Sequence, residues 1–133
     1  MIELLSRCER EGNSLSLEGD GLRVENIAQL PADLKNEIIA NKNELIKALN
    51  RDLLARENGI LIGIPGTLYT CTISCNTIAY VEYVDGEWIA TRETYKRGVR
   101  TTSSHKVIAR GNTFEYVFNE FVGYKNFITR NNK

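Results

Sequence analysis

The chain has 133 residues, 42% apolar and 26% charged, which suits one ordinary domain or two very small ones with a solvated surface. Lys plus Arg equals Asp plus Glu at 17 each, so charge alone announces no nucleic-acid partner. No apolar run approaches the roughly 18 residues of a membrane helix. Met1-Ile2-Glu3-Leu4-Leu5-Ser6-Arg7 lacks the basic-then-apolar order of a signal peptide. A cytoplasmic protein with no membrane association is expected, and the odd set Cys8, Cys71 and Cys75 is read as reduced.

The zero net charge hides an asymmetry. Through Glu57 there are eight Lys and Arg against eleven Asp and Glu, and from Asn58 onward nine against six. This sign change coincides with a change from helical to strand-like patterning. Two units are therefore expected, residues 1–58 and 59–133.

Ile2, Leu4, Leu5 and Cys8 have near-helical spacing, and Gly12-Asn13 supplies a stop, so residues 2–11 should form a helix. Ser14 to Glu18 and Leu22 to Glu25 alternate with period two around Gly19-Asp20-Gly21. This is a hairpin signal, because those turn residues tolerate positive φ. Leu15, Leu17, Leu22 and Val24 would share its buried face. Pro31 suits a first helical position, where its missing N–H is no loss, and Asp33 favours the helix N-terminus. Leu34, Ile38 and Ile39 then form one stripe. Asn41 or Asn43 can break and re-cap the chain before a second stripe of Leu45, Ile46, Leu49, Leu53 and Leu54. Asn58-Gly59 ends it.

The order Leu4-Leu5, Gly12, Leu15, Leu17, Gly19-Asp20-Gly21, Leu22-Arg23-Val24, Leu30, Leu34, Ile38 and Lys42-Asn43-Glu44-Leu45-Ile46 resembles the TubC-type N-terminal docking domain over about residues 2–50. The resemblance implies a one-helix, two-strand, two-helix unit that receives a short acidic or polar tail of another protein, largely through the hairpin. It also implies possible homodimers. Similar units start small phage and plasmid proteins. In this chain the basic residues of the hairpin reduce to Arg23, flanked by Glu18, Asp20 and Glu25.

Beyond Gly59 the pattern is strand-like. Ile60 to Ile64 is an apolar run ended by Pro65-Gly66, and Thr67 to Cys75 is rich in β-branched and small residues. Thr77 to Val84 and Glu87 to Tyr95 flank Asp85-Gly86, the strongest hairpin signal in the chain. Lys96 to Ser104 reads as a basic loop or edge, followed by a short strand over His105 to Ala109. Asn112 with Glu115 offers a capping box for a helix striped by Phe114, Val117, Phe118, Phe121 and Val122. Lys125 to Lys133 reads as a frayed tail. The expected fold class is α+β: a small helix-hairpin-helix-helix unit, then an antiparallel β-meander covered by one C-terminal helix.

Catalytic signatures are sparse. Cys71 and Cys75, four apart on a strand, could join His105 as metal ligands, but a fourth ligand and a Cys-x-x-Cys are missing. Buried thiols are the plainer reading. His105 is the sole histidine, with no carboxylate at a telling spacing to orient it. No phosphate loop, catalytic residue, metal or cofactor is expected.

Arg92, Lys96, Arg97, Arg100, Lys106 and Arg110, with Tyr83, Trp88 and Tyr95 nearby, could make a basic, aromatic-bearing face. Of these, Trp88, Arg92, Tyr95, Lys96, Arg97, Arg100 and Lys106, with Arg23, are the candidate partner-binding residues. A protein partner is the main expectation, with a homodimer through the first unit. Nucleic acid on the 92–110 surface is the alternative. The whole reads as a small non-enzymatic interaction protein. The setting expected is a phage or mobile-element accessory factor that inhibits a host complex, in the manner of an anti-CRISPR protein.

Overall fold

The computed structural model describes residues 2–10, 15–19, 21–25, 30–95 and 102–131. The fold is α+β as expected. Helix α1 (Ile2–Arg10), hairpin strands β1 (Leu15–Glu18) and β2 (Gly21–Val24), and helices α2 (Ala32–Ala40) and α3 (Lys42–Glu57) come first. Strands β3 (Leu61–Ile64), β4 (Leu68–Ser74), β5 (Thr77–Val84), β6 (Glu87–Tyr95) and β7 (Thr102–Gly111) follow in sequential sheet order, and α4 (Phe114–Asn131) closes the chain. Two compact units emerge, Met1–Leu54 with Ile64–Gly66, and Ala55–Gly63 with Thr67–Lys133. The division thus falls inside α3, where the sequence pattern places it after residue 58.

In the first unit, Leu4, Leu5 and Cys8 of α1, Leu34 and Ile38 of α2, and Leu45 and Ala48 of α3 form a buried cluster. Leu15, Leu22, Val24 and Leu30 pack against it half-buried. The hairpin register sets Leu15 opposite Val24 and Leu17 opposite Leu22, as period-two alternation requires. Pro31 is the N-cap of α2 rather than its first helical residue, with φ −56 and ψ 145. Its carbonyl accepts the Lys35 N–H at 3.0 Å, so the fixed ring φ serves the extended residue before the helix.

Asn41 ends α2 and starts α3. Its side-chain amide and its backbone N–H both donate to the Glu37 carbonyl, at 2.8 and 3.0 Å. Its own carbonyl accepts the Leu45 N–H at 2.9 Å. Arg7 ties α1 to the first turn of α2 through Asp33 at 3.0 Å, and that guanidinium holds the Asp33 carboxyl below its usual range. Gly66 is buried at φ +79, where a Cβ would lie 2.9 Å from the Ala48 Cβ. Only glycine fits such a backbone without strain.

In the second unit, β4 through β7 pair antiparallel, with bulges between Ala90 and Thr91 and between Thr94 and Tyr95 on the β6–β7 ladder. Asp85 at φ 51 and Gly86 at φ 87 make the two-residue turn that their side chains permit. One sheet face carries Tyr69, Cys71, Ala79, Val81, Trp88 and Ala90 to Phe114, Val117, Phe118 and Phe121 of α4, all buried. Trp88 meets Phe114 edge-on at 4.9 Å, and Phe114 stacks on Phe118 at 4.9 Å. Such pairs add to the burial that holds helix to sheet.

Three expectations are corrected here. Strand β7 runs ten residues, twice the length expected, and carries its pairing through Ser104 to Thr94. Helix α4 continues to Asn131 where a tail from Lys125 was expected. Its last turns have tertiary partners, since Tyr124 accepts from Arg92 and Lys125 donates to the Asn58 carbonyl at 2.9 Å. The helix also begins at Phe114, with the Thr113 carbonyl receiving the Val117 N–H, so Asn112 lies one residue too early to cap it. Among the described residues no helix is long and apolar enough to cross a membrane.

Candidate functional site

The first unit carries a groove of about 290 Å³ beside its core. Leu22 and Val24 of β2 form one wall, Ile38 and Ile39 of α2 the other, and Leu30 lies where the chain enters α2. Lys35 and Lys42 line it as well. Sequence patterning groups Ile38 with Ile39, but adjacent helical residues diverge by about 100°. Ile38 is accordingly buried, while Ile39 is 64% exposed on the groove. Among the described residues neither lysine forms an ion pair. The groove therefore combines an apolar floor with two uncompensated cations.

These cations were not singled out from the sequence. The readable signal is that Lys35 and Lys42 stand seven apart, about two helical turns, around the single-residue break at Asn41. Arg23, the basic hairpin residue singled out there, is exposed on β2.

The downstream candidates do not share one face. Trp88, expected to meet a partner, is only 6% exposed and belongs to the core under α4, so that expectation is corrected. Arg92 lies on the same sheet face, half-buried, and donates through Nη1 to the Tyr124 hydroxyl at 2.8 Å. Lys106 sits opposite Arg92 in the β6–β7 register and is exposed. Tyr95 bonds to Glu93, two residues away on the other face. Lys96, Arg97 and Arg100 lie outside the described residues. Among the described residues, Trp88, Arg92 and Tyr95 do not form a continuous stacking platform, because α4 covers Trp88 and period-two alternation puts Tyr95 on the other face.

The second face has its own polar centre. Tyr80 and Tyr95 both donate to Glu93, at 2.6 and 2.8 Å, one phenol to each carboxylate oxygen. These two bonds lower the Glu93 carboxyl, and the charge of His105, opposite it in register, acts in the same sense. Burial, and then the Glu93 carboxylate, push the Tyr80 phenol far up. The arrangement holds a charged acid between two neutral phenols. It presents no activated nucleophile.

The possible metal set dissolves. Cys71 is buried on β4, where burial raises its thiol, while Cys75 is exposed beyond the strand end at Ser74. Among the described residues no group of three or more His, Cys, Asp or Glu could hold a metal ion.

Comparison with known proteins finds no matching family model, no matching curated protein and no matching solved structure.

Proposed function

We propose that the chain is a non-enzymatic protein-interaction protein. Its first unit receives a short partner segment that places apolar side chains in the groove and a carboxylate beside Lys35 and Lys42. The observation that carries this reading is the exposed Ile39 in an apolar groove also lined by two lysines that form no ion pair among the described residues. Covering one such side chain is worth about 1.5–3 kcal/mol. The lysines add orientation and steering more than affinity. The acidic-tail preference of the resembled docking domain is thereby supplied from α2 and α3, not from the hairpin.

The resemblance supports the same biological setting, an accessory factor of a phage or mobile element that binds and inhibits a host complex. Homodimerisation is the competing use of the same groove.

Affinity capture from the native host tests the reading, comparing the wild type with the triple variant Lys35→Glu, Lys42→Glu, Ile39→Asp. Proteins retained by the wild type and lost by the variant, with salt-sensitive binding, are the expected result. Identical sets captured by both would overturn it. A wild-type dimer dissociated by Ile39→Asp in sedimentation would assign the groove to self-association.

A further inference from the structure

We propose that Arg92, Lys106 and Tyr124 form a binding site for a phosphate monoester dianion. Arg92 and Lys106 are directly paired across β6 and β7, which puts both side chains on the sheet face that α4 covers. Cβ atoms of such pairs lie about 5 Å apart, and like charges there oppose folding. No ion pair to either residue relieves the repulsion among the described residues. The acidic candidates nearest in the chain do not help. Glu93 is engaged by two phenols on the opposite face, and among the described ion pairs Glu120, one turn before Tyr124 on α4, meets neither cation.

Arg92 is moreover half-buried, with Nε enclosed and without a hydrogen-bond partner among the described residues. A partly desolvated charge left uncompensated is costly, and an anion beside it recovers that cost. Tyr124 completes the set. Its oxygen accepts from Arg92, so its own proton is free to donate.

Geometry and charge select the anion. A carboxylate is best met by the parallel fork of a guanidinium. Here the side-on fork through the enclosed Nε is closed, and one of the two Nη1 protons already goes to Tyr124. What remains is three separate donors, a guanidinium edge, an ammonium and a phenol. They suit a tetrahedral group with three terminal oxygens. Two cations match a monoester, which carries about −1.5 to −2 at neutral pH, better than the single charge of a diester. The site lies wholly in the second unit and stands independently of the groove proposed above.

Isothermal titration of the full chain with O-phosphoserine and with inorganic phosphate tests this. One-site saturable binding is expected for both probes. Lys106→Gln, an exposed position whose replacement leaves the core untouched, should weaken it about tenfold, as loss of one charge-assisted bond predicts. Tyr124→Phe should weaken it by a smaller factor. Tighter binding of phosphoserine assigns the source to a phosphorylated side chain, and tighter binding of inorganic phosphate to a small free ligand; either supports the site. Absence of saturable binding in the wild type, or equal binding in Lys106→Gln, overturns it. So does a preference for a single-stranded oligonucleotide over both probes, which would make the ligand a diester.

Discussion

Asp52 accepts the backbone N–H of Gly66 at 2.8 Å from a position only 4% exposed. The Gly66 carbonyl in turn accepts from Arg51 Nε at 2.9 Å. Successive residues of α3 thus hold both polar groups of one turn glycine, which could not otherwise be buried without loss. Asp52→Ala, which orphans a buried N–H, should cost about 1–3 kcal/mol. Gly66→Ala should cost about as much, through positive φ and the close Ala48 contact. Thermal unfolding reads both, and a neutral Gly66→Ala would contradict the turn geometry.

Trp88 is the sole tryptophan, so its emission reports directly on its burial. A blue-shifted spectrum with weak acrylamide quenching is expected. Ligands bound at the 92–110 surface should leave it nearly unchanged, because Trp88 faces Phe114. Strong quenching by a bound oligonucleotide would restore the stacking reading.

Phe118 is buried between Tyr69, Phe114 and Phe121. Phe118→Ala should cost about 3–5 kcal/mol by leaving a cavity between α4 and the sheet. Loss of the cooperative transition is an accepted form of that result. A change under about 1 kcal/mol would mean that α4 does not cover this face.

The Tyr80–Glu93–Tyr95 group sets a pH dependence on each side of neutrality. Glu93 has a folded pKa below its unfolded value of about 4.3. Its contribution is present above that value and disappears as pH falls through the folded pKa. Tyr80 and Tyr95 have folded pKa values above the unfolded value of about 10. Their contribution is complete below that value and disappears as pH rises through the folded pKa. Glu93→Gln should flatten the acid limb of stability and let Tyr80 ionise earlier in an ultraviolet titration. An unchanged acid limb would show that the two phenols do not stabilise the carboxylate.

Much of the fold was readable because its signals are local. Gly19 at φ 58, Asp85-Gly86 and the Asn41 break each impose a turn by backbone chemistry that no tertiary contact needs to assist, whereas Gly21 is already a strand residue. The end of α4 was not readable, because Tyr124 and Lys125 are held by Arg92 and Asn58, 32 and 67 residues away in sequence. The same limit hid the candidate sites. Composition made Trp88 and Arg92 look like partners on one surface, and only the placement of α4 separates the buried indole from the half-buried guanidinium on the same face. Lys35 and Lys42 look like ordinary solvated charges until the helices that carry them are seen to bracket Ile39.

Asn41 alone joins α2 to α3, with its side chain spent on one helix and its carbonyl on the other. A joint of one residue leaves little slack, and the hydrogen bonds at Asn41 set the spacing of Lys35 and Ile39 before it and Lys42 after it in this structure. An incoming segment would order itself against a wall already set, and little of the binding energy would go into shaping the receptor. Inserting two glycines after Asn41 would keep every groove side chain and remove that rigidity. The loss of affinity would then measure how much of recognition resides in the hinge itself and how much in the side chains it carries.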